Sequence, residues 1–521
     1  MERKAGVVIP LFSIRTRRDW GVGQITDLPV CAAWVRRAGH RLLQILPPHE
    51  LSGGETSPYG ALSAFALDPL YADITAIEDL DGETIEQVLG DAGRAELARL
   101  RATNRVDYRA VRALKARALR KAFDVFFAME WSRGTTRAKR LDEFVRAEGT
   151  WLDDFAVYHS LREAHDGWGW TTWPTDERDR SPAGVAAARM THGRRILEVG
   201  YVQWILLGQW QSAHERMREI GVELMGDVPF VVCAESADVW SHAGQFRLDK
   251  TLGAPPDDFS SEGQDWGLPP YGWSAMDADG LAWLRSRARQ AARLYDRFRL
   301  DHIVGYFRQW VKPAGQRAGG HFDPDGASAQ NETGRRVLGA MLEEVGRSAT
   351  SATAAPPRVI AEDLGVIPPF VRDVLRELQM PGYRVLPWEK DGGHFRDPRG
   401  FPADSVSCWS THDTPPIVAW WDDLPEEDRA QLAARAGVQE GMDDAARSLA
   451  LLRDLFEASS NLTLVLVQEL LGTRERINVP ATVGEQNWTW RLDRPIEDLE
   501  ADPALVERFD RIRKLVAASG R

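Results

Sequence analysis

Hydrophobic residues gather along the chain in eight short runs that are rich in β-branched residues and end in polar ones. Near-continuous apolar runs of this kind are typical of strands buried on both faces of a parallel sheet. Between most of them, apolar residues recur at the spacing of amphipathic helices. Eight strands that alternate with helices predict an α/β fold, specifically a (β/α)8 or TIM barrel. The runs occupy residues 7–14, 40–48, 222–232, 298–304, 358–365, 383–389, 406–413 and 463–470.

The interval between the second and third runs is too long for a simple connection, since a βαβ unit needs only ~30 residues. Alternating charges with Leu, Val and Ala at helical spacing, clearest over residues 84–127, predict amphipathic helices in it. We therefore expect a mostly helical insertion of residues 49–214, of which residues 55–75 contribute to the active-site rim. The barrel is expected to be discontinuous, formed by residues 1–48 and 215–521.

Three later segments are predicted to be loops. Residues 253–274 follow the third run, are rich in proline and glycine, and contain several aromatic residues. Long loops are often functional, so we expect an active-site loop here. Residues 315–334 are predicted to form a flexible loop, and the low-complexity residues 348–357 a surface connection.

Charge and cysteine content narrow the class of protein. The net charge of −12 disfavours nucleic-acid binding, because an acidic chain repels phosphate. Cys31, Cys233 and Cys408 are too sparse for a disulfide framework or a zinc site and are expected to be buried, reduced thiols. The sequence shows neither a membrane-spanning run nor a signal peptide. We therefore expect a cytoplasmic protein without a nucleic-acid or membrane partner.

Tryptophan is unusually abundant, with 20 Trp against 9 Tyr. Core packing explains most such residues. An indole can also stack on the apolar face of a sugar ring while its N–H bonds to a hydroxyl. Composition alone leaves both interpretations open.

Carboxylates lie at or near the ends of several predicted strands. Asp227 lies in the third run, Asp301 in the fourth, Glu362 in the fifth and Asp413 at the end of the seventh. Active-site residues of TIM barrels lie at the C-terminal ends of the strands, so these side chains are expected to converge on one pocket. A structural ion pair is the alternative for any one of them alone. No metal-ligand pattern, reactive cysteine or serine triad competes with the set.

Converging carboxylates suit the cleavage of a glycosidic bond, in which one carboxylate attacks the anomeric carbon and one carboxyl protonates the leaving oxygen. Arg299 and Asp301 are two residues apart in a predicted strand and face the same way, so the cation is expected to keep Asp301 ionised. Glu362, near other carboxylates, is expected to have a raised pKa and to hold its proton. This chemistry requires no cofactor.

Sequence motifs extend this interpretation over nearly the whole chain. They are GVVIPLFSI, DWGVG and TSPYGALSAFALDPLY near the N-terminus, GDVPFVVCAESADVW and GAPPDDFSSEGQDWG in the third run and its loop, FRLDHIVG, AEDLG and STHD at the carboxylates, and RINVPATVGEQNWTWR near the C-terminus. In these motifs and in their order, the chain resembles the amylomaltases, or disproportionating enzymes, of glycoside hydrolase family 77.

The resemblance implies a 4-α-glucanotransferase that moves stretches of α-1,4-linked glucose by a retaining double displacement. It implies that Asp301 is the nucleophile, Glu362 the general acid/base and Asp413 the stabiliser of the transition state. The expected partners are α-1,4-glucans and glucose, and the chain is expected to be a monomer or a weak homo-oligomer. The substrate-binding residues that the resemblance implies are Tyr59, Asp227, Gln264, Trp266, Arg299, His412 and Asn478.

Some positions depart from the family pattern. Leu268 stands where an amide is common, Glu469 follows Gln468 where Gln-Asp is common, and Ala481 replaces a usual glycine. Residues 414–421 replace an acidic, Thr-rich stretch. Because the three carboxylates are intact, these departures bear on the choice of acceptor.

Two other functions remain open at this point. A retaining α-glucosidase or amylase-type hydrolase would use the same three carboxylates, and spacing along the sequence does not separate transfer from hydrolysis. The alternative of another class is a glucan-binding protein without catalysis.

Overall fold

A closed barrel of eight parallel strands forms the centre of the protein, which confirms the predicted (β/α)8 fold. The computed structural model describes residues 2–256, 263–316, 319–348, 358–480, 482 and 484–521. Each predicted run overlaps one barrel strand, and we number these strands in chain order. They are β1 Lys4–Val8, β2 Leu42–Gln44, β3 Glu223–Val228, β4 Arg297–Leu300, β5 Arg358–Ala361, β6 Gly382–Val385, β7 Ser405–Cys408 and β8 Leu462–Leu466.

The barrel closes because β1 pairs in parallel with both β2 and β8. Leu42 of β2 and Leu462 of β8 are each in register with a residue of β1. The strands end earlier than the hydrophobic runs that predicted them. β1 ends at Val8 because Pro10, which has no N–H to donate to a ladder, is followed by the 3-10 turn Leu11–Ser13. The remaining residues of each run form the mouth of the barrel.

Helices surround the barrel and fill the interval between β2 and β3. No α-helix lies between β6 and β7, where every residue is described; two 3-10 turns and a two-stranded hairpin take its place. The α-helices are Leu28–Arg37, Gly82–Ala102, Tyr108–Met129, Thr136–Ala147, Gly149–Ala164, Thr175–Arg178, Pro182–Ile220, Ala237–Ser241, Trp273–Ala278, Ala282–Leu294, Ala327–Arg347, Pro369–Glu377, Ile417–Asp422, Glu426–Ala436, Asp444–Phe456, Val467–Leu471, Ile496–Leu499 and Pro503–Ala518.

The helical pattern over residues 84–127 corresponds to two helices. The second begins where the Asp107 side chain accepts a hydrogen bond from the N–H of Ala110 and so caps the helix. At the far end of the insertion, the helix Pro182–Ile220 runs through residue 214, where we expected the insertion to end. The division of the chain into these units stays a prediction.

The connections after β3 and β4 combine into a second sheet, which we call the loop sheet. Its antiparallel strands lie in the order Gln264–Asp265, Lys250–Ala254, Gln309–Pro313 and His321–Asp323. The predicted loop 253–274 therefore contributes strands at its described ends, while residues 257–262 lie outside the described part of the chain.

The prediction of a flexible loop over residues 315–334 is wrong. Its residues His321–Asp323 form an edge strand, and a helix begins at Ala327. Gly334 packs so closely on Phe307 that a Cβ would lie 2.0 Å from a ring carbon, which ties this helix to the segment after β4. Most of the predicted connection 348–357 lies outside the described residues.

All three cysteines are free, but only Cys31 and Cys408 are buried.

Candidate active site

The predicted carboxylates meet at the carboxyl ends of the barrel strands. Asp227 lies within β3, Asp301 directly follows β4 and Glu362 directly follows β5. Asp413 lies on the connection between β7 and the helix Ile417–Asp422. Since β3, β4 and β5 are neighbours in the barrel, their ends bring three of these side chains to one place.

A single buried guanidinium, that of Arg299, joins them. The register of β3 and β4 sets Arg299 beside Asp227, to which its Nε donates at 2.9 Å. Nη2 of Arg299 donates to Oδ1 of Asp301 at 2.8 Å, and Nη1 lies 4.0 Å from Oε1 of Glu362. The prediction that Arg299 faces the same way as Asp301 is confirmed.

Tyr59 extends this network to the far side of the site. Its hydroxyl accepts from Nη2 of Arg299 at 2.9 Å and donates to Oδ2 of Asp227 at 2.8 Å. Nε2 of His412 lies 3.0 Å from the hydroxyl oxygen of Tyr59. Because the single phenolic proton goes to Asp227, this third contact requires Nε2 of His412 to be the donor.

Asp413 is held by three neighbours. Its Oδ1 accepts from Nδ2 of Asn478 at 2.6 Å, and its Oδ2 lies 3.3 Å from Nε2 of His412. Nη2 of Arg476 donates to its backbone carbonyl at 2.7 Å. Burial raises the pKa of Asp413, but His412 and Asn478 outweigh it and hold this pKa below its ordinary value. The carboxylate is therefore ionised throughout the neutral range.

Burial is also the largest influence on the pKa values of Asp301 and Glu362. It raises the pKa of Glu362 to about 8; Arg299 opposes this rise and Asp301 adds to it. This confirms the raised pKa expected for Glu362. Burial likewise raises the pKa of Asp301 to about 6, although Arg299 opposes the rise. We expected the cation to control Asp301, but desolvation of the enclosed carboxyl is the larger effect.

The order of the two values is nevertheless the one that the chemistry needs. Asp301, bonded directly to the guanidinium, is the stronger acid, and Glu362, farther from that cation, is the weaker one. Near neutral pH, Asp301 is mostly ionised while Glu362 mostly keeps its proton. The site therefore holds a carboxylate and a carboxylic acid, both within 4.0 Å of the Arg299 guanidinium.

Gln264 and Trp266 reach the cluster through an intermediate residue. Nε1 of Trp266 donates to Oε1 of Gln264 at 3.0 Å, and the indole meets the ring of His302 edge-on, with centroids 4.9 Å apart. The backbone N–H of His302 donates to Oε2 of Glu362 at 2.6 Å. The loop sheet is thus connected to Glu362 through His302. Leu268 is half-buried, and its carbonyl accepts from the N–H of Leu252 at 2.8 Å.

Sequence reasoning missed three residues of the site, although each lies within or beside a quoted motif. His302 follows Asp301 and adopts a left-handed backbone with φ of 46°, which is uncommon outside glycine. Arg476 holds Asp413, as described above. The indole of Trp488 packs against the rings of both Tyr59 and His412, with each centroid separation 5.9 Å.

Glu469, noted above only as a departure, lies beneath the connection that carries Asp413. Its Oε2 accepts from the N–H of Leu466 at 2.9 Å. The hydroxyl of Ser410 and the N–H of Ile417 also lie against this carboxyl, but burial outweighs them and raises its pKa to about 7. Glu469 thereby contacts the two ends of that connection. Ala481 lies outside the described residues.

Among the described residues, no group of three His, Cys, Asp or Glu side chains is arranged to hold a metal ion. No helix in that part of the chain has the length and apolar character needed to cross a bilayer.

Comparison with known proteins identifies the family. A family model described as 4-alpha-glucanotransferase matches residues 9–497. The chain belongs to this family. The 4-alpha-glucanotransferase of Chlamydia muridarum is 30% identical over 516 residues, covering 96% of this chain and 93% of that protein. The chloroplastic/amyloplastic 4-alpha-glucanotransferase of Oryza sativa subsp. japonica is 31% identical over 514 residues, covering 94% and 80%.

Solved structures of the family share the fold. An amylomaltase from Streptococcus agalactiae in complex with acarbose matches with a TM-score of 0.84 and 24% identity, covering all of both chains. An amylomaltase from Corynebacterium glutamicum matches with a TM-score of 0.82 and 23% identity, covering 99% of this chain and 75% of the other. The family and the barrel predicted from the sequence are confirmed, while the role of each site residue stays a prediction.

Proposed function

We propose that this protein is a 4-α-glucanotransferase that acts on α-1,4-glucans by retaining double displacement through a covalent glucosyl-enzyme. The observation that carries the proposal is the shared guanidinium of Arg299, which bonds to Asp301 and lies near Glu362. An ionised carboxylate beside a protonated carboxyl is the pair that glycosidic cleavage requires. Membership of the 4-alpha-glucanotransferase family supports transfer as the outcome.

In the first half-reaction, an oxygen of Asp301 attacks the anomeric carbon of a donor glucan. The bond from that carbon to the glycosidic oxygen breaks, and Glu362 gives its proton to this oxygen. The part of the donor with the free reducing end leaves as a 4-hydroxyl sugar. The remaining part is joined to Asp301 through an ester bond, and Glu362 is left ionised.

In the second half-reaction, the 4-hydroxyl of an acceptor glucan or glucose attacks the same carbon. Glu362 takes the proton of that hydroxyl, and the ester bond to Asp301 breaks. Both carboxyls return to their starting protonation states, and two inversions at the anomeric carbon leave its configuration unchanged.

The other predicted residues act on binding and charge. Asp413, ionised and oriented by Asn478, accepts hydrogen bonds from donor hydroxyls and stabilises the positive charge that develops at the anomeric carbon. Tyr59, Asp227 and His412 hold the donor sugar beside Arg299. Gln264 and Trp266 contact the glucan on the side of the loop sheet.

Water competes with the acceptor for the glucosyl-enzyme. Transfer prevails where the site excludes water and holds an acceptor hydroxyl in position. Among the described groups, the indole of Trp266 is the best placed to exclude water. It packs edge-on against His302, whose backbone N–H donates to Glu362.

The test is incubation with maltotriose and separation of the products. A transferase yields glucose together with a ladder of longer maltodextrins. Glucose and maltose without longer products would show a hydrolase with the same carboxylates. Retention is tested with an activated α-glucosyl donor, whose first product must carry the α configuration when the anomeric proton is followed by NMR.

The Asp301→Asn variant separates catalysis from binding. It removes the nucleophile but keeps the size and a hydrogen-bond acceptor, so turnover should be lost while maltodextrin binding persists. Activity equal to that of the wild type would show that Asp301 is not the nucleophile. Lack of turnover in the wild type itself, with binding intact, would support a glucan-binding protein without catalysis.

A further inference from the structure

A cleft of about 220 Å³ lies outside the cluster of carboxylates, between the insertion and the barrel. We call it the Trp151 cleft. None of its lining residues is a predicted catalytic or substrate-binding residue, although Ser63 and Phe65 belong to the segment 55–75 that was expected to contribute to the active-site rim. They are Ser63, Phe65, Thr150, Trp151, Asp154, Phe155, Ala237, Asp238, Ser241, His242, Asp279, Ala282, Trp283 and Ser286.

One wall of the Trp151 cleft is aromatic and held in place. The rings of Phe65 and Trp151 are nearly parallel, with an interplanar angle of 16° and centroids 5.9 Å apart, and Phe155 continues the wall 6.1 Å from Trp151. Nε1 of Trp151 donates to Oε2 of Glu148 at 2.8 Å, which fixes the half-buried indole. Phe65 and Phe155 are buried, so the indole is the ring of this wall that a ligand can reach. Its fixed position suits the apolar C–H face of a sugar ring and loses little side-chain freedom on binding.

The rest of the lining carries hydroxyl, imidazole and carboxylate groups, and no Lys or Arg occurs among its described residues. The carboxylates already have partners in the protein. Asp238 accepts from Nε1 of Trp283 and from the N–H of Ala64, each at 2.8 Å. Asp279 accepts from Nε2 of Gln245 at 2.6 Å.

This composition selects the chemistry of a ligand. An anion would meet three carboxylates, and the cation that pairs with one of them, Arg180 with Asp154, is not part of the lining. A cation would have to displace this ion pair or existing hydrogen bonds. A neutral ligand with many hydroxyls can donate to the remaining lone pairs of these carboxylates and stack on the aromatic wall. Because 220 Å³ is below the ~300–1,000 Å³ of sites for drug-sized ligands, the space suits one sugar ring, with the rest of a chain in solvent.

We propose that the Trp151 cleft binds one glucosyl unit of an α-1,4-glucan and so tethers long chains outside the active site. The proposal rests on the glucanotransferase function proposed above. A second attachment point makes engagement of the active site intramolecular, which raises avidity for chains long enough to span both sites. Short oligosaccharides gain nothing from it.

The experiment compares long and short glucans in the full-length protein. Binding is measured by affinity electrophoresis with amylose and by calorimetry with maltotriose, in an Asp301→Asn background that prevents turnover. Trp151→Ala removes the wall, and Ala282→Arg closes the rim with a long cation at an exposed position. Trp168→Ala is the control, because Trp168 is 68% exposed and lies outside the cleft.

Both cleft variants are expected to weaken amylose binding by about tenfold or more while the control does not. In the background with Asp301 intact, the kcat/KM for maltotriose should be the same in the cleft variants as in the wild type. If Trp151→Ala lowers the melting temperature, Ala282→Arg decides, since it removes no buried group.

Unchanged amylose binding in Ala282→Arg would show that the Trp151 cleft does not tether glucan chains. An equal loss in Trp168→Ala also overturns the proposal, because any exposed indole would then suffice. Neither result touches the proposed function, which is judged separately by the maltodextrin ladder that the wild type makes from maltotriose.

Discussion

Nη2 of Arg299 lies 2.8 Å from Oδ1 of Asp301, whose side chain keeps 24% of its surface exposed while that of Arg299 keeps 5%. Burial raises the pKa of both Asp301 and Glu362 and Arg299 lowers both, and the pKa of Asp301 remains below that of Glu362. The difference between the two values determines how activity should depend on pH.

We expect a bell-shaped pH profile for kcat/KM with maltotriose. Asp301 must be ionised to attack, so activity should rise with pH through about 6. Glu362 must be protonated to donate, so activity should fall through about 8. These limbs belong to the interacting pair in the free enzyme. The measurement is initial glucose release at substrate concentrations below KM, with the melting temperature followed over the same range. Activity that keeps rising well above the pKa of Glu362 would contradict its role as the acid.

Tyr59→Phe should reduce kcat/KM without unfolding the protein. The change removes a hydroxyl that contacts Arg299, Asp227 and His412 and leaves buried polar partners unsatisfied, at a cost of about 1–3 kcal/mol. If this cost falls on the transition state, kcat/KM falls by roughly 5- to 150-fold. Tyr201→Phe is the matched control, since the hydroxyl of Tyr201 donates to Asp79, which is not a residue of the site. A lower melting temperature with unchanged kcat/KM in both variants would show that Tyr59 is only structural.

Glu469→Gln should lower kcat more than it changes KM. An amide in place of the carboxyl presents an N–H₂ group to donors at Leu466, Ser410 and Ile417, so the connection carrying Asp413 loses support. A loss of about 1–3 kcal/mol corresponds to a decrease in kcat of roughly 5- to 150-fold. Steady-state kinetics with maltotriose measure kcat and KM separately.

The control for Glu469 is Asp454→Asn, which changes another buried carboxylate, bonded to Arg435 at 2.8 Å. It should lower the melting temperature and leave kcat unchanged. If Glu469→Gln behaves in the same way, Glu469 does not position the site. Glu469→Asp keeps the carboxyl group and should recover part of the lost activity.

Trp266→Ala should increase the share of glucosyl-enzyme that water intercepts. Removal of the indole opens the side of the site next to His302, through which the loop sheet is connected to Glu362. New reducing ends report hydrolysis, whereas the maltodextrin ladder reports transfer, so their ratio measures the change. Trp310→Ala alters the same sheet at a residue that packs on Phe322, and its ratio should stay that of the wild type. An unchanged ratio of hydrolysis to transfer in Trp266→Ala would show that this indole does not keep water from the glucosyl-enzyme.

The barrel was predictable because buried parallel strands are hydrophobic along their whole length. The positions of Asp301 and Glu362 followed from the rule that functional residues end barrel strands. The ends of the strands were less predictable, since the same apolar runs continue into the mouth, as at Pro10. The sheet strand His321–Asp323 was missed because a short edge strand rich in polar residues has no hydrophobic run.

The network around Tyr59 could not be derived from spacing. Tyr59 lies in the insertion and meets Arg299 only because the fold brings distant segments together, so resemblance alone pointed to it. The pKa of Asp301 could not be derived either. The neighbouring cation is visible in the sequence, but the burial that outweighs it depends on the whole enclosure.

The pairing of β1 with β8 has a consequence for folding. Residue 4 is in register with residue 462, and β2 is in register with β3 across the whole insertion. A nascent chain that has not yet reached β8 therefore leaves β1 with an unpaired edge, which is open to association with other chains. Closing such long intervals favours slow folding through intermediates. The backbone hydrogen bonds of the helices between β2 and β3 join residues four apart, so these helices can order during synthesis, before the last strand of the barrel has been made.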